Sequence, residues 1–312
     1  MKKLVLSLII LSSCNVLAVT PREQARHGVK RYYAEIDAEP APETNMFNVL
    51  MAFAGSATPA QLMQLLDTTG IDVNQVNQNG NSILMLAAAR GNAPNVNALI
   101  QRGAHINLQN DDSYTALHFA VSKGHLPVII RLLQQPDIDL NLITYKGNTP
   151  LMTALLLKKE PVATLLLKSR VGASRAYVNT ANNEGEYPLL KAIEQNNLPL
   201  FDQLLEAGVR ICARPGLEIP LHVAVAEGHQ EIVKRLLAFW VNVNEANEMG
   251  ETPLMIAALK GNLTILKVLL HANANVQLRD KSNQTALDHA KKSESKNKTA
   301  VIKLLREAGR LQ

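Results

Sequence analysis

Two cysteines and eight histidines are the side chains of this 312-residue chain best suited to act as nucleophiles, proton carriers or metal ligands. A reactive cysteine needs a nearby base or cation, and a metal site needs ligands at short, regular spacing. Neither condition is met. Cys14 lies in an apolar N-terminal stretch. Cys212 stands in a loop, with no basic or metal partner that marks it as a nucleophile. The histidines are scattered. No HExxH, CxxC, phosphate-binding Walker loop or GxSxG is present. No enzyme and no cofactor are therefore expected.

The N-terminus carries a different signal. "MKKLVLSLIILSSCNVLAVT" opens on Lys2 and Lys3, continues with apolar residues from Leu4 to Leu11, and ends on Val16-Leu17-Ala18. That order reads as a secretory signal peptide over 1–18, of short bacterial form. A second reading of the same stretch takes "LSSC" as a lipobox, with Cys14 lipidated and anchoring the chain. Cleavage after Ala18 removes two lysines and takes the formal charge from +5 to 5 − 2 = +3. It leaves Cys212 alone, so no intramolecular disulfide is expected. No later segment is long and apolar enough to span a bilayer. No arginine stripe interleaved with aromatics suggests nucleic acid. The chain is expected in the periplasm or outside the cell.

The rest of the chain must position whatever site exists, and it is repetitive. "GETPLMIAALKGN" from Gly250 recurs as "GNSILMLAAARGN" from Gly80, "SYTALHFAVSKGH" from Ser113 and "GNTPLMTALLLKK" from Gly147. It recurs again as "GEYPLLKAIEQNN" from Gly185, "LEIPLHVAVAEGH" from Leu217 and "NQTALDHAKKSES" from Asn283. The residues before the first helix of each copy are Ser82, Thr115, Thr149, Tyr187, Ile219, Thr252 and Thr285, spaced 33, 34, 38, 32, 33 and 33 apart. An alanine follows each of them at a fixed distance, from Ala87 to Ala290. A second helix ends on a paired aliphatic, as in Leu99-Ile100, Leu204-Leu205 and Leu269-Leu270. Ser or Thr at a helix start accepts from free N–H groups, and proline at the first helical position needs no N–H. Tyr187 and Ile219 lack the hydroxyl, so those two turns are expected to be weaker.

This pattern resembles the ankyrin repeat over residues 45–309, eight copies in all, of which the first is weak and the last irregular. The resemblance implies an all-α solenoid of stacked helix-turn-helix units, each too small to stand without its neighbours. It implies scaffold roles for His118, His125, His222 and His229. Residues 19–44 remain as an N-terminal segment and Pro/Glu linker. The five extra residues between Thr149 and Tyr187 lie in 168–179, as a loop insertion or a specificity loop.

Function then rests on the turns. The resemblance implies a protein partner bound at the turn tips, a monomer, and no enzymatic activity. The residues before each cap are Asp112 and Tyr114, Tyr145 and Lys146, Glu184 and Glu186, Glu218, and Glu248 with Glu251. The five glutamates would form an acidic ridge facing a basic partner, with the tyrosines as apolar anchors. Two destinations fit, a scaffold in the bacterial envelope or a secreted effector that binds a host protein, and the remaining alternative is an enzyme with an unrecognised site.

Overall fold

The computed structural model describes residues 42–169, 176–211 and 218–310. The N-terminal stretch with its signal-peptide and lipobox readings, Cys212, and the middle half of the 168–179 insertion lie outside them. Sixteen helices and no strand beyond an isolated bridge between Val76 and Ser82 occur among the described residues. None of the helices is long and apolar enough to cross a membrane.

The helices fall into two units. The first, through Tyr145, holds α1 (Pro42–Ser56), α2 (Pro59–Thr69), α3 (Ile83–Ala89), α4 (Ala93–Gln101), α5 (Ala116–Lys123) and α6 (Leu126–Leu133). The second begins at Lys146 with α7 (Pro150–Leu156), α8 (Glu160–Lys168), α9 (Pro188–Glu194) and α10 (Leu198–Glu206). It continues with α11 (Pro220–Ala226), α12 (Gln230–Ala238), α13 (Pro253–Lys260), α14 (Leu263–His271), α15 (Ala286–Lys292) and α16 (Lys298–Ala308). In each unit an odd-numbered helix packs on its even-numbered partner and on the odd-numbered helices of the neighbouring pairs.

Local chemistry starts each odd helix. Ser82, Thr115, Thr149, Thr252 and Thr285 accept from the backbone N–H three residues on, at Met85, His118, Met152, Met255 and Asp288. Tyr187 and Ile219 make no such bond, as their side chains require. Tyr187 has a compensation that its cap position does not reveal. Its ring is buried, and its hydroxyl donates to the Glu218 carbonyl of the next turn at 2.7 Å.

The recurring alanines are fully buried, Ala87, Ala120, Ala154, Ala192, Ala224, Ala257 and Ala290 all at 0% exposure, which is what close helix approach demands. The leucines of the second helices fill the space between layers, with Leu99, Leu132, Leu166, Leu204, Leu236 and Leu269 equally sealed. A seven-residue helix is marginal in water and persists here because its neighbours complete its core.

The weak first copy is a real pair. α1 begins at Pro42, inside the stretch read as linker, because proline is well placed at a first helical position. Thr58 and Gln61 cap α2 reciprocally, and Gly70 closes it in the left-handed conformation. Asn95 of α4, fully buried, donates to the carbonyls of Ala54 and Ala57 at 3.0 and 2.9 Å, satisfying the end of α1.

Histidines serve the scaffold. His125 bonds the Ala89 carbonyl of the preceding repeat at 3.1 Å. His118 Nδ1 lies 2.9 Å from the Thr115 hydroxyl. His222 holds the same place, but Ile219 offers no hydroxyl, so Nδ1 has no partner while Nε2 donates to the Glu251 carbonyl at 2.9 Å. Burial pushes the His222 pKa down. A buried neutral histidine binds fewer protons than the unfolded chain does, so stability falls as pH drops below about 6.5. Ile219→Thr should restore the cap and give Nδ1 a donor, raising stability by about 1 kcal/mol. The check is a urea titration of both proteins at neutral and mildly acidic pH.

Candidate functional site: the hairpin tips

Five of the turns before odd helices are each held by one side chain five residues ahead of the cap. Asn77 Oδ1 accepts from Asn79 and Asn81 N–H at 3.0 and 2.9 Å. Asn182 does the same for Glu184 and Glu186, and Asn247 for Met249 and Glu251, all at 2.9–3.0 Å. Asp280 accepts from Ser282 and Gln284 at 2.9 Å each, and Asn110 from Tyr114 at 2.7 Å. These residues organise the tips and were missed in the sequence reading. Their signal is a recurring Asn or Asp at a fixed distance from the cap.

The backbone then links one tip to the next. Asp111 N–H donates to the Asn79 carbonyl at 3.2 Å and Tyr145 N–H to Asp112 at 3.1 Å. In the second unit Asn183 donates to Lys146 and Lys281 to Met249, both at 3.0 Å. Two residues before the cap the chain is left-handed at Gly80, Gly147, Gly185 and Gly250, and also at Ser113 and Asn283.

A second set of asparagines joins the return loops. Asn74, Asn107, Asn179 and Asn244 accept from the N–H of His105, Asp139, Arg210 and Asn275 at 2.7, 2.9, 2.8 and 2.8 Å. Counted from the preceding helix, Cys212 takes this slot in its own repeat.

The nine residues expected at the tips do not share one environment. Asp112 is exposed. Tyr114 is half-buried, its ring lying against His118 and Phe119 with centroids 5.7 and 5.5 Å away, so it is not a projecting anchor. Tyr145 and Lys146 are exposed. Glu184, Glu218 and Glu248 are exposed and form no ion pair among the described residues.

Glu186 and Glu251 require a correction to the five-glutamate ridge. Glu186 is half-buried, ion-paired with Lys191 of α9, and accepts from the Asn182 amide at 2.9 Å. Burial pushes its carboxyl up, but the bonds from Lys191 and Asn182 outweigh that and hold it below the ordinary value. Burial likewise pushes Lys191 down, while Glu186 and Glu194 outweigh it and raise the lysine. Glu251 accepts from the Asn247 amide at 2.9 Å. In both hairpins the carboxylate next to the cap folds back onto the organising asparagine. Three carboxylates, on three successive tips of one unit, thus face solvent.

No group of three or more His, Cys, Asp or Glu is set to hold a metal among the described residues.

The family model of ankyrin repeats, in three-copy form, matches residues 49–144, 84–179, 170–244 and 221–310. The chain belongs to the ankyrin-repeat family. Ankyrin repeats mark a protein-interaction scaffold, and the chain's relatives carry them within longer proteins. It is 33% identical over 118 residues to Protein HOS4 of Saccharomyces cerevisiae, covering 38% of this chain and 10% of that one. It is 30% identical over 199 residues to human Rabankyrin-5, covering 59% and 17%. The ankyrin chain thus spans a small part of these relatives' length. Among solved structures, the ankyrin-repeat domain of Bcl-3, a member of the IkappaB family, matches 82% of this chain and 97% of its own. The TM-score is 0.50 at 22% identity, a likeness of fold.

Proposed function

We propose that this ankyrin-repeat chain is an exported, non-enzymatic scaffold that binds a basic protein partner at the tips of its second unit. The observation that carries this reading is the exposure of Glu184, Glu218 and Glu248 on successive turns, beside Met249 at 69% exposure. Carboxylates without an ion pair among the described residues, two of them on turns that backbone bonds tie to a neighbouring tip, present charge with little rearrangement cost on binding. An exposed methionine adds an adaptable apolar contact.

Exposed charges act chiefly on association rate and are screened over about 8 Å at physiological salt. Glu184, Glu218 and Glu248 changed together to Lys should slow association with a captured partner severalfold at low salt. Thermal stability should stay unchanged, since none of the three side chains makes an ion pair among the described residues. Association that is unaltered by the triple change would remove the tips from the binding surface. Glu186 is left out because its reversal would break the bond to Lys191.

Export is supported by the order of charged, apolar and small residues in 1–18. A reporter fused after residue 30 should be translocated in bacteria, with the mature chain starting at Val19. A product starting at a lipidated Cys14 would establish the anchored form instead, and a full-length cytosolic product would defeat both.

A further inference from the structure

Trp240 is the one tryptophan of the chain, and it is 95% exposed. It is also held in the left-handed region, at φ 58°. The same slot after the second helix is filled by Gly103 at 90°, Gly208 at 83° and Asn273 at 62°. Glycine and asparagine are the residues that tolerate this conformation, whereas a bulky side chain there is an outlier that persists against strain. Neither burial nor backbone preference explains the tryptophan. Phe239 beside it is 51% exposed.

The unpaired charge on the second helices and return loops of this unit is positive. On the second helices and return loops from α10 to α16, Asp202 and Glu231 are paired with Arg235 and Lys234 at 2.8 and 2.7 Å. Arg210, Lys267, Lys303, Arg306 and Arg310 are exposed and enter no ion pair among the described residues. Against them stand the exposed Glu206 and Glu307, a balance of 5 − 2 = +3.

We propose that Trp240 and Phe239, with these unpaired cations, form a docking surface for an anionic lipid bilayer. Tryptophan favours the membrane–water interface, and unpaired lysine and arginine are drawn to anionic headgroups. A side chain with almost no shelter from its own protein is a knob without a surrounding groove, and it suits a soft planar surface that closes around it. A protein partner would have to supply the pocket itself. The contact is peripheral, since no described helix crosses a membrane. It is independent of the acidic tips.

The single tryptophan makes the test local, whatever else of the chain touches lipid. The full chain is mixed with phosphatidylcholine vesicles containing phosphatidylglycerol, and with vesicles of phosphatidylcholine alone. With the anionic vesicles Trp240 emission should move to the blue, be quenched by brominated acyl chains, and return on adding high salt. With phosphatidylcholine alone it should not move. Lys267→Glu with Arg306→Glu, which leaves the tryptophan in place, should weaken partitioning by about tenfold or more. Trp240→Gly should lose vesicle co-sedimentation while its thermal midpoint rises, because glycine relieves the left-handed strain. Unshifted emission with anionic vesicles, an equal shift with neutral ones, or variants that partition like the wild type would overturn the proposal. So would emission that ignores vesicles yet shifts on adding an acidic protein.

Discussion

Phe201→Ala should cost about 3–5 kcal/mol, the usual range for truncating a buried aromatic. Phe201 is 0% exposed and heads the largest fully buried side chains. It sits on α10 between Leu200 and Leu204, both buried, in a chain whose aromatics are only 4%. Its neighbours are mostly aliphatic, and short helices on either side cannot collapse into the void without losing their own packing. A domain is typically stable by about 5–15 kcal/mol, so the loss is a large share of the whole. The check is the urea midpoint, with hydrogen exchange following α9 and α10. Phe201→Leu, which keeps most of the volume, should cost less than about 1.5 kcal/mol. Equal losses in the two variants would mean that the ring's shape, and not the cavity, matters.

Gly250→Ala should cost about 2–3 kcal/mol. Two effects coincide there. The backbone is left-handed at φ 80°, and an added Cβ would stand 2.9 Å from the Lys281 nitrogen. That nitrogen donates to the Met249 carbonyl at 3.0 Å, so relieving the clash breaks the link between two tips. Gly228→Ala separates the two effects. Its φ is nearly the same, 81°, but the nearest atom to its Cβ would be the Asn262 amide at 3.5 Å. It should show only the conformational cost, about 1 kcal/mol. If both variants lose equally in thermal denaturation, the tip-to-tip bond contributes nothing.

Most of the fold was legible because short helices must obey local rules. Thr252, Pro253 and Ala257 each answer a requirement that a single sequence displays: a cap, a first helical position and a close contact. Tyr187 and Ile219 were legible as missing caps for the same reason. What Tyr187 does instead was not, because its partner, the Glu218 carbonyl, lies in the next repeat. The start of α1 at Pro42 was hidden by a Pro/Glu composition that reads as linker. The candidate site was only partly legible. Counting placed Glu184, Glu186, Glu248 and Glu251 on turns, but the direction of a side chain depends on Asn182 and Asn247, which pull Glu186 and Glu251 inward.

The tip-to-tip links run through main-chain atoms, which every amino acid other than proline supplies in full. Asn183, Glu184 and Met249 therefore hold their turns in place by what they have in common with other residues, while their side chains, like that of Glu248, reach solvent. The burden of specifying the turn falls on Asn182, Asn247 and the left-handed glycines. Substitution at the exposed positions is thus nearly free of structural consequence, and substitution at the organising ones is not. Such a division lets recognition diverge quickly between related chains while the framework stays constant, and a library randomised at Glu184, Glu248 and Met249 should fold at nearly the frequency of the parent.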